Sequence, residues 1–151
     1  MEKLNTWIAL IANVAVLVGI IFLVVEISQN TQALKASAIQ ASTSTARENI
    51  SMLIENPSLI EIIRKDPSEL TEAERLRGYW LSRHFWLSMQ GLYQQWSLGV
   101  LPESEWLVWL QTICINTTSE RGLSGRTDWL QNTDILAPEF VTYVGDNCAD
   151  A

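Results

Sequence analysis

The stretch W-I-A-L-I-A-N-V-A-V-L-V-G-I-I-F-L-V-V, from Trp7 to Val25, decides the fold because it is too apolar to stay in water. Asn13 is its one strongly polar side chain. As an α-helix the run rises about 28 Å, close to the thickness of the hydrocarbon core of a bilayer. Trp7 stands at one end, where an indole favours the membrane interface, and Glu26 closes the other. The pattern predicts one transmembrane helix within an anchor of residues 1–27.

Two alternative structures fit this run less well. A cleaved signal peptide has a shorter apolar region and a small-residue cleavage site, whereas this run continues into E-I-S-Q-N at residues 26–30. A buried core helix is rarely apolar on every side over such a length. We therefore expect an uncleaved, single-pass anchor whose partner is the lipid bilayer. The number of basic residues is nearly equal on the two sides of the span, with Lys3 on one side and Lys35 close behind the other, so the positive-inside rule gives little preference for either orientation.

Small residues recur at steps of three and four along one face of the predicted helix. This stripe consists of Ala9, Ala12, Val16, Gly19, Leu23, Glu26, Asn30 and Ala33, and it continues through Ser37, Gln40 and Ser44. The opposite face carries large aliphatic side chains suited to lipid. Helices in lipid associate where small side chains allow close backbone approach, so the stripe predicts the seam of a homo-oligomer. The alternative is a chance pattern in an Ala-rich helix.

Glu26 belongs to this stripe and permits two interpretations. It can be an interfacial carboxylate that ends the span and faces water. It can also belong to a ring of carboxylates at the mouth of an oligomeric pore, which would attract cations. A pore of this kind needs about five or more subunits, because fewer helices pack too tightly to conduct.

The chain after the anchor predicts an all-α fold, in which the transmembrane helix continues into a small helical bundle. No Gly or Pro interrupts residues 21–55, so residues 28–56 are expected to form a helical extension or stalk, with some loosening at residues 41–45. Residues 57–151 are expected to form a soluble helical domain. Its four prolines lie where helices should begin or break, at Pro57, Pro67, Pro102 and Pro138.

Local signals within the soluble part define individual helices. T-E-A-E at residues 71–74 is a capping box for a long helix to about Leu98, with Gly99 as its stop. Further helices are predicted after Pro102, near Trp129, and from Pro138 to about Val144, with a looser stretch at residues 122–125. The seven tryptophans are interpreted as core fillers, some of which could contact another subunit.

Composition excludes several classes of function. The net charge of −7 and the lack of a basic run argue against a nucleic-acid partner. His84 is the one histidine, and nothing in the sequence marks a Ser-His-Asp or Cys-His arrangement around it. Carboxylate pairs such as Glu72 and Glu74 lie in first turns of helices, where they favour the helix dipole. We therefore predict no enzyme activity, no cofactor and no metal site.

The two cysteines, Cys114 and Cys148, lie far apart and lack the spacing of zinc ligands. A disulfide between them requires an oxidising compartment. Two free thiols are the favoured interpretation.

The run E-I-S-Q-N-T-Q-A-L-K-A-S at residues 26–37 resembles a family of uncharacterised bacterial single-pass membrane proteins, in which a Q-N-T-x-A-L run follows the apolar span. Further matches are Y-Q-Q-W at residues 93–96, Gly99, Trp106, and P-E-F at residues 138–140. The resemblance covers nearly the whole chain. It implies a bacterial inner-membrane anchor and a helical domain on the cytoplasmic side, and it assigns no activity. Ser28 departs from the family, which often has a basic residue there, and this weakens the charge signal for that orientation.

Three functions follow from these observations. The first is a self-associating structural or accessory scaffold, which the stripe favours. The second is a homo-oligomeric cation channel or channel regulator with Glu26 at the pore mouth. The third is a membrane-bound enzyme, for which no set of residues is found.

Overall fold

The computed structural model describes residues 2–118 and 126–148, with residues 2, 126 and 127 described by their backbone alone. Across this part of the chain there are α-helices, short 3-10 helices and no strand, which confirms the predicted all-α class. The α-helices are α1 (Glu2–Glu55), α2 (Pro57–Arg64), α3 (Glu72–Ser97), α4 (Glu103–Thr118), α5 (Arg126–Asn132) and α6 (Pro138–Cys148). The 3-10 helices are Pro67–Glu69 and Thr133–Ile135. The loose stretch predicted through Gly122 and Gly125 lies outside the described residues.

The prolines mark helix boundaries as predicted. Pro57 and Pro138 are the first residues of α2 and α6, Pro67 begins a 3-10 helix, and Pro102 immediately precedes α4. Proline suits these positions because its fixed φ matches a helix and the missing N–H has no partner in a first turn. The predicted loosening of α1 at residues 41–45 is wrong, since those residues are helical.

The chain divides into two units, residues 1–37 and residues 38–151. The first unit is the apolar part of α1. Its most hydrophobic 18-residue window has a mean hydropathy of 3.0 with none of it buried, so by length and composition it can cross a membrane once. The second unit contains the rest of α1 and the later helices, so the compact unit takes in residues 38–56 of the predicted stalk.

The described residues of the second unit share a hydrophobic core that contains both aromatic and aliphatic side chains. Its fully buried members include Trp86, Met89, Leu92, Trp106, Ile113, Phe140 and Val144. Trp96 and Trp106 stack with ring centroids 5.4 Å apart, and Tyr143 accepts a hydrogen bond from the Trp106 indole at 3.0 Å. The prediction that tryptophans fill the core is therefore confirmed for Trp86, Trp106 and Trp129, while Trp80 is exposed.

A disulfide joins Cys114 of α4 to Cys148 of α6, with Cα atoms 4.9 Å apart. The prediction of two free thiols is wrong. The sequence separation of 34 residues concealed the pairing, because α4 and α6 come together only when the core between them forms. Both side chains are buried.

Candidate functional site

The predicted seam lies on an unbroken α-helix, so its steps of three and four place its residues on one face. All eight residues from Ala9 to Ala33 are exposed within the unit of residues 1–37. A Cβ added at Gly19 would meet no heavy atom within 4 Å. Glu26 is exposed on the same face.

The continuation of the stripe remains uncovered where α1 enters the second unit. Gln40 and Ser44 are exposed, whereas Ala38 and Ser42 are buried against the core on another face of the helix. Ser42 also accepts a hydrogen bond from the Trp109 indole at 2.8 Å. Within the second unit, α1 therefore packs on the core through the face of Ala38 and Ser42 and leaves Gln40 and Ser44 uncovered.

A second candidate site, which sequence reasoning missed, is a cavity of about 110 Å³ inside the second unit. Its walls are largely apolar and come from the end of α1 (Met52 and Leu53), from α2 (Ile63), and from α3 (Gly78, Leu81 and Phe85). Its polar lining consists of Asn49, Ser82, His84 and Asp128. A hydrophobic enclosure with a few convergent polar groups is the usual form of a small-molecule site.

A buried hydrogen-bonded network holds Asp128 in this cavity wall. Its Oδ2 accepts from Ser82 Oγ at 2.6 Å and from Trp86 Nε1 at 2.9 Å. Asn132 Nδ2, one turn further along α5, donates to Ser82 Oγ at 2.9 Å and to the Asp128 carbonyl at 2.8 Å. The network joins α5 to α3 across 46 residues of sequence.

Burial raises the pKa of the Asp128 carboxyl above its usual value of 3.8, because the charged form loses hydration. The hydrogen bonds from Ser82 and Trp86 act in the opposite direction and offset part of this effect. Among the side chains that the structure describes, no cation lies within ion-pair distance of Asp128, and the one salt bridge joins Lys65 to Glu74.

His84 lies at the exposed side of the cavity, and its Nε2 is 3.1 Å from Asn49 Oδ1. Ser82 bonds to Asp128, so the described contacts do not assemble a serine, a histidine and an acid into one chain of hydrogen bonds. Within residues 2–118 and 126–148, no group of three His, Cys, Asp or Glu side chains could hold a metal ion.

No family model, curated protein or solved structure matches this chain at a significant level. The fold and the two candidate sites therefore rest on the residues of this chain alone.

Proposed function

We propose that this chain is a single-pass membrane protein that self-associates along the stripe of α1 and serves as a structural or accessory scaffold. One observation carries the proposal: the stripe from Ala9 to Ala33 and its continuation at Gln40 and Ser44 are exposed on one helix face. Within residues 1–37 every residue of the stripe is uncovered, so a second copy can approach along this part of the helix. The family resemblance supports a membrane anchor in the bacterial inner membrane as part of this proposal.

Exposed apolar area supports the membrane part of the proposal. Leu17, Ile21 and Val24 have 60 to 64% of their surface exposed. Each such side chain gains roughly 1.5 to 3 kcal/mol when it leaves water, so the face opposite the stripe needs a lipid or protein cover.

The test is a pair of substitutions in full-length protein reconstituted in lipid. Gly19→Leu should lower the crosslinked fraction, because leucine separates backbones at the seam. A Cβ added at this position meets no heavy atom of the described chain within 4 Å, so a loss of crosslinking is attributed to a second copy. Val18→Leu, off the stripe, is the matched control and should leave crosslinking unchanged. Equal crosslinking of both variants and the unsubstituted protein would contradict the seam.

A cation channel is the second candidate, and the exposure of Glu26 on the stripe favours it. Native mass spectrometry separates the two candidates, since a dimer supports the scaffold and a complex of about five or more chains supports a pore. In the second case Glu26→Gln should reduce cation conductance across a planar bilayer. Unchanged conductance would remove Glu26 from the pore mouth.

The disulfide bears on the side of the membrane that the domain faces. The family resemblance implies the cytoplasm, where thiols are kept reduced. A buried Cys114–Cys148 disulfide supports instead a domain in an oxidising compartment, such as the bacterial periplasm. We include this orientation in the proposal in place of the cytoplasmic one.

A further inference from the structure

The cavity beside Asp128 combines an apolar enclosure with an acceptor whose capacity is only partly used. An ionised carboxylate can accept about four hydrogen bonds. Oδ2 accepts two well-formed ones, from Ser82 and Trp86. Oδ1 has one described contact, with Asn132 Nδ2 at 3.5 Å, which is longer than an ordinary hydrogen bond. Beyond this long contact, the second oxygen of the carboxylate has capacity to accept a stronger donor.

Charge determines which donor fits. The described lining of the cavity contains no lysine or arginine, and Asp128 has no described ion-pair partner. A buried carboxylate without a counter-charge is costly, and a positively charged ligand would compensate that cost. A cation is therefore a better complement to this site than a neutral molecule or an anion.

The remaining lining determines the rest of the ligand. Met52, Leu53, Ile63, Leu81 and Phe85 present hydrocarbon rather than hydrogen-bonding groups. For scale, a lined apolar cavity of about 150 Å³ takes up benzene. The cavity here, of about 110 Å³, is smaller, but it is partly open to solvent, so a single compact ring or a short branched chain can enter it and extend past its mouth.

We propose that this cavity is a binding site for a small organic amine, whose ammonium group donates to Asp128 while its apolar body contacts the Leu53 and Phe85 side chains. The site lies wholly within residues 38–151 and does not depend on self-association of α1. If no such ligand binds, the hydrogen bonds of Asp128 with Ser82 and Trp86 have a structural role alone, which is to join α5 to α3.

The experiment is a calorimetric titration of the full-length protein in lipid nanodiscs with benzylamine, with benzyl alcohol as the neutral isostere. Protein-free nanodiscs provide the blank. We expect saturable binding of benzylamine and a shift of the Trp86 indole N–H resonance, because that group bonds to the same carboxylate. Asp128→Asn should weaken benzylamine binding roughly tenfold or more, since a charge-assisted hydrogen bond is lost. Its effect on benzyl alcohol should be less than about twofold.

A second variant keeps the test decisive if Asp128→Asn does not fold. Leu53→Trp places an indole in the cavity and should abolish binding, whereas Leu130→Trp, at an exposed position of α5 outside the lining, should not. Circular dichroism confirms that each variant is folded. A benzylamine titration indistinguishable from the protein-free blank would overturn the proposal. Equal affinity of Leu53→Trp and the unsubstituted protein would overturn it as well.

Discussion

Gly99 is the residue at which local backbone conformation is most demanding. Its φ of +71° lies in the left-handed region, where an L side chain is strained. Its N–H donates to Trp96 O at 2.8 Å, and the next N–H, of Val100, donates to Gln95 O at 2.9 Å. These two bonds form a Schellman motif that satisfies the last carbonyls of α3.

Gly99→Ala should therefore lower the free energy of unfolding by about 1 kcal/mol. Gly91, within α3, is the matched control, because an added Cβ there meets nothing within 4 Å. Gly91→Ala should raise the free energy of unfolding by roughly 0.5 to 1 kcal/mol, since alanine favours a helix interior. Urea unfolding followed by tryptophan fluorescence measures both. A stabilising effect of Gly99→Ala would refute the motif.

The raised pKa of Asp128 predicts that stability falls as pH rises, which is the opposite of the usual effect of a carboxyl group. Burial raises its pKa in the folded domain above the value of 3.8 that we take for the unfolded chain. The folded state then holds the proton more tightly, so this group favours folding below pH 3.8 and loses that contribution as pH rises through the folded pKa. Asp128→Asn should remove this decline from urea unfolding curves recorded between pH 3 and pH 7. The control is His84→Asn, at the cavity's other titratable side chain, and persistence of the decline in Asp128→Asn would contradict the assignment.

At the scale of elements, one carboxylate connects the end of α2 to the start of α3. Glu74 Oε2 accepts from Thr71 N and Thr71 Oγ1, both at 2.8 Å, and Thr71 Oγ1 accepts from Glu74 N at 3.3 Å, which completes the capping box. Glu74 Oε1 accepts from Lys65 Nζ at 2.6 Å, beyond the last residue of α2. The Lys65 bond, followed by those from Thr71, lowers the pKa of Glu74 to about 2.

Because this pKa is lowered, the contribution of Glu74 to stability is present above pH 4.5 and is lost as pH falls through about 2. Glu74→Gln should therefore reduce the fall in the free energy of unfolding that accompanies this acidification, which we call the acid limb of the stability curve. Thr71→Ala should cost about 1 kcal/mol at neutral pH through loss of the cap. Glu72→Gln removes a charge from the same turn and serves as the control. An acid limb in Glu74→Gln as steep as that of the unsubstituted protein would show that other carboxylates dominate it.

At the scale of the whole molecule, the features that could be predicted are those encoded locally. The apolar run, the four prolines and the Thr71 capping box each act within a few residues, and the helices they imply are present. The features that could not be predicted join distant positions. Ser82 meets Asp128 across 46 residues and Cys114 meets Cys148 across 34, and no spacing rule relates such pairs before the helices are packed. The cavity was missed for the same reason.

The disulfide also yields a prediction about the whole molecule in its cell. Cells are lysed in denaturant that contains N-ethylmaleimide, so that every free thiol is alkylated, and the protein is then reduced and treated with polyethylene-glycol maleimide. A domain in an oxidising compartment should gain the mass of two polyethylene-glycol chains only when the reduction step is included, because both cysteines were paired. Cys114→Ser, which leaves Cys148 unpaired, is the control and should gain none, because its single thiol is already blocked.

Removal of the Cys114–Cys148 disulfide should lower the free energy of unfolding. Closing a segment of this length in the unfolded chain is worth about 3 to 4 kcal/mol, so the Cys114→Ser, Cys148→Ser double variant should unfold at correspondingly lower urea concentration.

Active alkaline phosphatase fused after residue 151 would report the oxidising side independently, since that enzyme needs its own disulfides. Blocked thiols in the unsubstituted protein, together with an inactive fusion, would place the domain in the cytoplasm. The scaffold proposal would survive that result, because the α1 seam is tested separately by Gly19→Leu.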